Sequence, residues 1–352
     1  MRTYPRLAIW LLLITGCLST ADNKVVVYTA LDREFSEPIF DDFTKKTGIR
    51  VLAKYDTEST KTVGLTKAIM AEADRPRCDV FWNNEILNTL RLENRGLLAT
   101  YEPKNAAEIP DKYRSPAHRW YGFAARARVL IVNTELVSAA NYPTSVMETT
   151  NPIWVNKFAV AKPLFGTTAT HAAMIFARQT SEDARNFWQT TLENAQVLSG
   201  NKQVARAVAS GQALWGLTDT DDAIIEVDNG YPVAIIFPDQ SNDSNTQVDS
   251  TAHVDSTKPI GTPLIPNTVS IIKGCANRAQ AELLVDYLLS PDVEAKLALG
   301  QSAQIPILKS TQAKSRLTSI PDPLHDFDVD FADAAAKWDA AAAFLREKYI
   351  EN

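Results

Sequence analysis

Between residues 24 and 96 the chain alternates short apolar runs with helical patterns at a spacing that leaves few folds open. Lys24 to Thr29 (KVVVYT) reads as a buried strand. Arg33 to Thr47 reads as a helix, with Phe35, Ile39 and Phe43 four residues apart and Gly48 placed to close it. A strand over 49–55, a helix over 60–73, a strand at Asp79 to Asn83 and a helix from Ile86 to Arg95 ended by Gly96 continue the pattern. Strands joined by helical crossovers of this length lie parallel, with right-handed connections.

A second unit of the same kind follows. Val129 to Asn133 and Phe158 to Ala161 read as strands, the latter running into Pro163-Leu164-Phe165-Gly166-Thr167-Thr168. Helices are expected at 170–178, 182–192, 201–210 and Asp222 to Asn229. Strands are expected at Val197-Leu198, Ala213 to Leu217 and Val233 to Phe237. Residues 239–258 are rich in Ser, Asp and Thr and suggest an exposed excursion. Thr268 to Lys273 returns as a strand, Arg278 to Leu289 is a helix, and Pro291 sits where a helix tolerates a missing N–H. Residues 331–349 form a long Ala-rich helix. The fold class is α/β: two doubly wound lobes, with a cleft between the carboxyl ends of their strands.

Composition removes several functions. The net charge of -6 argues against a nucleic-acid partner, which needs a basic face. Four His and three Cys give no zinc-type spacing. At the N-terminus, Arg2 and Arg6 precede an apolar run, Leu7 to Ile14, too short to span a bilayer. Ile14-Thr15-Gly16-Cys17 resembles a bacterial lipobox, in which a small residue admits the peptidase and the thiol receives lipid. Residues 1–16 are therefore expected to be a lipoprotein signal peptide, with Cys17 lipidated and the mature protein exported and tethered. An ordinary signal peptide next to a chance cysteine is the alternative.

Three groups of residues carry candidate chemistry. Asp219, Asp221 and Asp222 fall in a turn between a strand and a helix, and carboxylates this close repel unless a cation or solvent relieves them. Plain helix capping is the alternative. Asp219-x-Asp221 also fits the nucleophile turn of phosphatases of the haloacid-dehalogenase type, although it comes late in the chain. Gly166 to His171 opens a helix with hydroxyls, which suits an anion or an N-cap, and His171 reads as structural. Arg126 and Arg128 alternate at the lobe crossing and are expected on opposite faces, one toward the cleft. Trp82 and Tyr28 read as core. No phosphate loop and no nucleophile elbow is present.

Tyr28-Thr29-Ala30-Leu31-Asp32, Phe43 to Ile49 (FTKKTGI), Asp79-Val80-Phe81-Trp82, Arg126 to Asn133, Leu214-Trp215-Gly216-Leu217 and Ser290 to Ala295, in this order, resemble the type-1 extracellular solute-binding proteins of ABC importers. The likeness is to the ferric-iron-binding branch. It implies a type II periplasmic-binding-protein-like fold with a hinge. Lobe 1 would be 22–125 plus 235–303, and lobe 2 would be 126–234 plus 304–352. It also implies no enzymatic activity, a monomer closing around a small solute, and delivery to an ABC permease. The strand ends and helix starts, which converge on one cleft, place the ligand site at Asp32, Asn84 and Glu85 of the first lobe, Arg126 at the hinge, and Thr167, Thr168, Asp219 and Asp221 of the second. Asp219 and Asp221 would be the metal ligands. The branch's adjacent tyrosines are missing: their place reads Thr218-Asp219-Thr220-Asp221-Asp222, and the chain has no Tyr-Tyr pair. The solute is thus open between ferric iron or another hard cation with a synergistic anion, and a zwitterion or phosphonate. The topology of the branch further implies a Cys78–Cys275 disulfide.

Overall fold

The computed structural model describes residues 23–56, 63–240 and 260–350. The expected signal peptide, Cys17 and nearly all of the polar excursion lie outside the described residues. Strands β1 (Lys24–Thr29), β2 (Arg50–Tyr55) and β3 (Val80–Asn83) alternate with helices α1 (Arg33–Thr47), α2 (Val63–Ala71) and α3 (Leu87–Asn94). β2, β1 and β3 pair in parallel, as the spacing requires.

β4 (Tyr121–Asn133) is the axis of the molecule. Its first half, Tyr121 to Ala127, pairs antiparallel with β9 (Leu264–Ile271), which in turn pairs with β3. Its second half, from Arg128, pairs with β7 (Trp215–Asp219) and β8 (Val233–Ile236). β5 (Phe158–Ala161) then joins β7 to β6 (Gln196–Leu198), both in parallel. One strand therefore threads two sheets. The second sheet carries α4 (Gly166–Arg178), α5 (Ser181–Asn194), α6 (Asn201–Ala209) and α7 (Thr220–Asp228). α8 (Arg278–Leu288) and α9 (Pro291–Leu299) follow β9. α10 (Phe331–Ile350) lies between α3 and α4: Trp338 receives Arg91 over its ring, and Phe344 meets Phe176. This is the two-lobed α/β fold expected.

The lobe boundaries expected at 125/126 and 234/235 do not coincide with the pairing. Ala127 still pairs with Leu264 of the first sheet, and β8 pairs as a whole with the second. A further segment returns beside the crossing, where Ala125 and Ile305 exchange backbone hydrogen bonds of 2.7 Å.

Every residue of β4 is buried, Arg126 and Arg128 included. Two guanidiniums in such a strand need acid partners, because an unpaired buried charge costs several kcal/mol, on the order of 3–5. That need fixes the site described next. Elsewhere the core is ordinary. Trp82 is fully buried, edge-on to Phe40 at 5.5 Å, and the Tyr28 hydroxyl donates to Glu72 at 3.0 Å. His171 is sealed against Trp188, and burial pushes its pKa down to about 3.

Cys78 and Cys275 are free thiols, which corrects the expected disulfide. The antiparallel pairing of β3 with β9 does bring their segments to the same end of the sheet. However, the buried Cys78 thiol donates to the Val80 carbonyl at 3.1 Å.

Candidate functional site

Three helices of the second lobe begin at one place. α4 starts at Gly166, α6 at Asn201 and α7 at Thr220, each just past the carboxyl end of a strand. Gly166 has φ +57°, a conformation that other residues adopt only with strain, and it turns the chain into α4. Gly216 on β7 has a different task. A Cβ there would stand 2.5 Å from Val204 on α6, so glycine lets α6 approach the sheet and bring Asn201 beside Asp219.

The result is a knot of polar side chains. Arg128 and Asp219 face each other in the β4–β7 register, and Arg128 donates to Asp219 Oδ1 at 2.7 Å, both side chains being almost wholly buried. The other oxygen, Oδ2, accepts from the Thr167 hydroxyl and from Asn201 Nδ2 at 2.9 Å. Asn201 Oδ1 accepts from Thr168 and from Arg128, both at 3.0 Å. Two residues along β4, Arg126 lies 3.3 Å from Asp221 Oδ2. Burial works against its charge, but Asp221 first, then Asp219, Asp32 and Asp222, outweigh that and raise its pKa.

The expectation that Arg126 and Arg128 take opposite faces is corrected. Residues two apart in a strand share a face, and both guanidiniums reach the acids of the β7–α7 corner. Strand β7 also ends two residues later than expected, so Asp219 closes the strand and stands as the N-cap residue of α7.

These groups floor and wall a cleft of about 490 Å³, its open mouth included. Seven of the eight residues expected at the site line it: Asp32, Asn84, Arg126, Thr167, Thr168, Asp219 and Asp221. Glu85 does not. Its fully buried carboxylate caps α3, accepting from the backbone N–H of Leu87 at 2.6 Å and of Asn88 at 3.0 Å, and from Thr170 Oγ1 at 3.0 Å. It was expected at the cleft from its place after β3, but the start of α3 claims it. Asp222, a candidate with its two neighbours, also lines the cleft, as do Lys162, Ser199, Gly200 and Asn201, which were missed. Asn201 was legible in principle: it follows a predicted strand and a glycine and opens a helix, the same reasoning that selected Thr167.

Chemically the cleft is divided. One carboxylate oxygen from each of Asp219, Asp221 and Asp222 lies within 4.8 Å of the others. The N–H-bearing ends of α4 and α6 line the same cleft and favour negative charge. Among the buried atoms of the cleft, Asn84 Oδ1 and Arg126 Nε have no hydrogen-bond partner within the protein. The described lining contains no tyrosine. Asp219, with both oxygens engaged by Arg128, Thr167 and Asn201, is not placed as a nucleophile, so the phosphatase reading is dropped.

Comparison with known proteins agrees with this fold. The Fe(3+)-binding periplasmic protein of Serratia marcescens is 23% identical over 318 residues, covering 90% of this chain and 87% of that protein. The crystal structure of iron-bound HitA from Pseudomonas aeruginosa superposes with a TM-score of 0.78 at 21% identity, over 92% of this chain and 99% of that one. The periplasmic binding protein AfuA from Actinobacillus pleuropneumoniae, solved with fructose-6-phosphate, gives 0.74 at 21% identity, over 92% and 97%. The sequence profile of the bacterial extracellular solute-binding proteins matches residues 88–335, most of the chain, and the protein belongs to that family.

Proposed function

We propose that the protein captures ferric iron, together with an accompanying anion, in the cleft between its lobes and hands it to an ABC permease. The observation that carries this reading is the acid cluster of the β7–α7 corner: one carboxylate oxygen from each of Asp219, Asp221 and Asp222 lies within 4.8 Å of the others, in a cleft that the starts of α4 and α6 also line. A hard, highly charged cation suits oxygen ligands. The anion would take the N–H groups at the starts of α4 and α6. The relatives named for ferric iron support the cargo. Cargo contacts from both lobes would stabilise the closed form that the permease receives. Cys17 would tether the mature chain to a membrane by lipid.

A second reading, a zwitterion or a phosphonate, is favoured by one feature. Arg128 and Arg126 already neutralise Asp219 and Asp221, which leaves the corner better suited to ammonium or hydroxyl donors than to a highly charged cation. Titration with ferric citrate, with and without phosphate, and metal analysis of the dialysed protein separate the two. Stoichiometric iron retained only with an anion is the expected result. Without tyrosines in the described cleft, the complex should lack the visible colour of iron–phenolate bonds. Iron lost on dialysis, with a phosphonate still bound by calorimetry, would overturn the first reading in favour of the second.

A further inference from the structure

Two non-glycine residues with left-handed backbones sit at the lobe crossings. Ala124, in β4, has φ +40°, and Ala303, on the returning segment, has φ +45°. Both are fully buried. Ala124 is the extra residue of a bulge, since Phe123 pairs with Asn267 and Ala125 with Pro266. Bulges bend a strand and raise its twist, and this one lies three residues before β4 changes sheets.

The surroundings hold this conformation firmly. The Ala124 N–H donates to Glu294 Oε1 at 2.8 Å, and its carbonyl accepts from Asn267 Nδ2. Glu294 is itself fully buried. It also accepts from the Ile307 and Leu308 N–H groups, each at 3.0 Å, and from Thr311 at 2.7 Å. Glu294 therefore pins the first crossing to the returning one. Asn267 lies on the remaining crossing, β9. It also donates to Gln304 at 2.8 Å, and its Oδ1 faces Trp82 Nε1 at 3.3 Å and Arg126 Nη2 at 3.5 Å. All three crossings thus meet at Asn267 and Glu294, in contact with the arginine that lines the cleft.

The lobes are drawn together here: Lys202 of α6 lies 3.4 Å from Glu34 of α1, and Thr170 donates to Glu85. We propose that Ala124, clamped by Glu294 and Asn267, is a strained hinge set-point. Its left-handed conformation belongs to the closed arrangement and relaxes on opening, so it holds the cargo-free protein open. Ala303 lies on the returning segment, two residues before Ile305, which pairs with Ala125. This inference rests on closure as the mode of capture, not on the identity of the cargo.

The test is Ala124→Gly, since glycine takes a positive φ without steric cost. Relief of the strain shifts the closed-to-open ratio of the cargo-free protein by about 5- to 30-fold toward closed. Small-angle X-ray scattering of the metal-free protein reads this as a curve moving toward that calculated for the closed structure. Asn156→Gly, at a left-handed position remote from the crossings (φ 61°), is the control and leaves the curve unchanged. A wild-type curve more open than the closed structure and untouched by Ala124→Gly would overturn the proposal alone. A wild-type curve already matching the closed structure would remove closure, and the proposal with it.

Discussion

Arg128 and Arg126 are two residues apart on one strand, and each faces an aspartate of the β7–α7 corner, yet they serve different ends. Arg128–Asp219 is a sealed knot: the acid has both oxygens occupied by Arg128, Thr167 and Asn201. Arg126–Asp221 lines the cleft, at a longer 3.3 Å, whereas Arg128 does not reach its lining. The first pair organises three helix N-termini. The second is positioned to exchange part of its pairing for a ligand. Equal chemistry at equal spacing is thus divided between scaffold and site by what surrounds each pair.

The sharpest way to break this comparison is to neutralise each acid in turn. Asp219→Asn leaves Arg128 buried without its counter-charge and should cost about 3–5 kcal/mol of stability, lowering the melting temperature by about 6–20 °C. Thermal unfolding checks it, and an unchanged melting temperature would mean that the knot is not structural. Asp221→Asn should do the reverse. Arg126 keeps Asn267 and the field of Asp32, Asp219 and Asp222, so the loss in melting temperature is the smaller of the two. Cargo affinity should fall by about 2–5 kcal/mol, roughly 30-fold or more, measured by titration. Should Asp221→Asn unfold the protein as readily as Asp219→Asn while sparing affinity, the distinction between the pairs collapses.

A third expectation concerns pH. His171, behind the knot, is held neutral by burial first and by the Arg128 charge second, with its pKa pushed down to about 3. The unfolded chain takes up that proton near pH 6.5. Stability from this group is therefore full above pH 6.5 and is lost as pH falls toward 3, about 2 kcal/mol being gone at pH 5. His171→Phe should flatten the melting temperature between pH 5 and 7; a slope identical to wild type would show that other groups set it.

The smallest effect is expected at the mouth of the cleft. Glu34→Gln removes the partly exposed contact with Lys202. It should weaken cargo binding by less than about 1 kcal/mol, and 0.5 M salt should reproduce the change in wild type.

Much of the fold was legible. The bounds of β1, α1 and β5 coincide with the sequence reading because nothing tertiary contests their apolar period. β4 was read only from Val129, because Ala-Ala-Arg-Ala-Arg carries little strand preference and two charges. Its first half is a strand because β9 pairs with it and the second-lobe acids neutralise it. Glu85 and Asn201 mark the same limit from opposite sides. Position after a strand drew Glu85 to the site, where the start of α3 had a stronger claim. Asn201 escaped notice because an amide at a helix start looks like a cap until Asp219 is beside it.

The sequence alone determined the order of strands and helices, the two parallel units and hence the cleft at their carboxyl ends, since hydrophobic period and short crossovers are local properties of the chain. Which charge meets which was decided only in three dimensions. Arg128 and Asp219 are 91 residues apart, and Asn267 and Ala124 are 143 apart. Buried charges and amides take the partner that the packed sheets bring within hydrogen-bonding distance, and no local pattern encodes that distance.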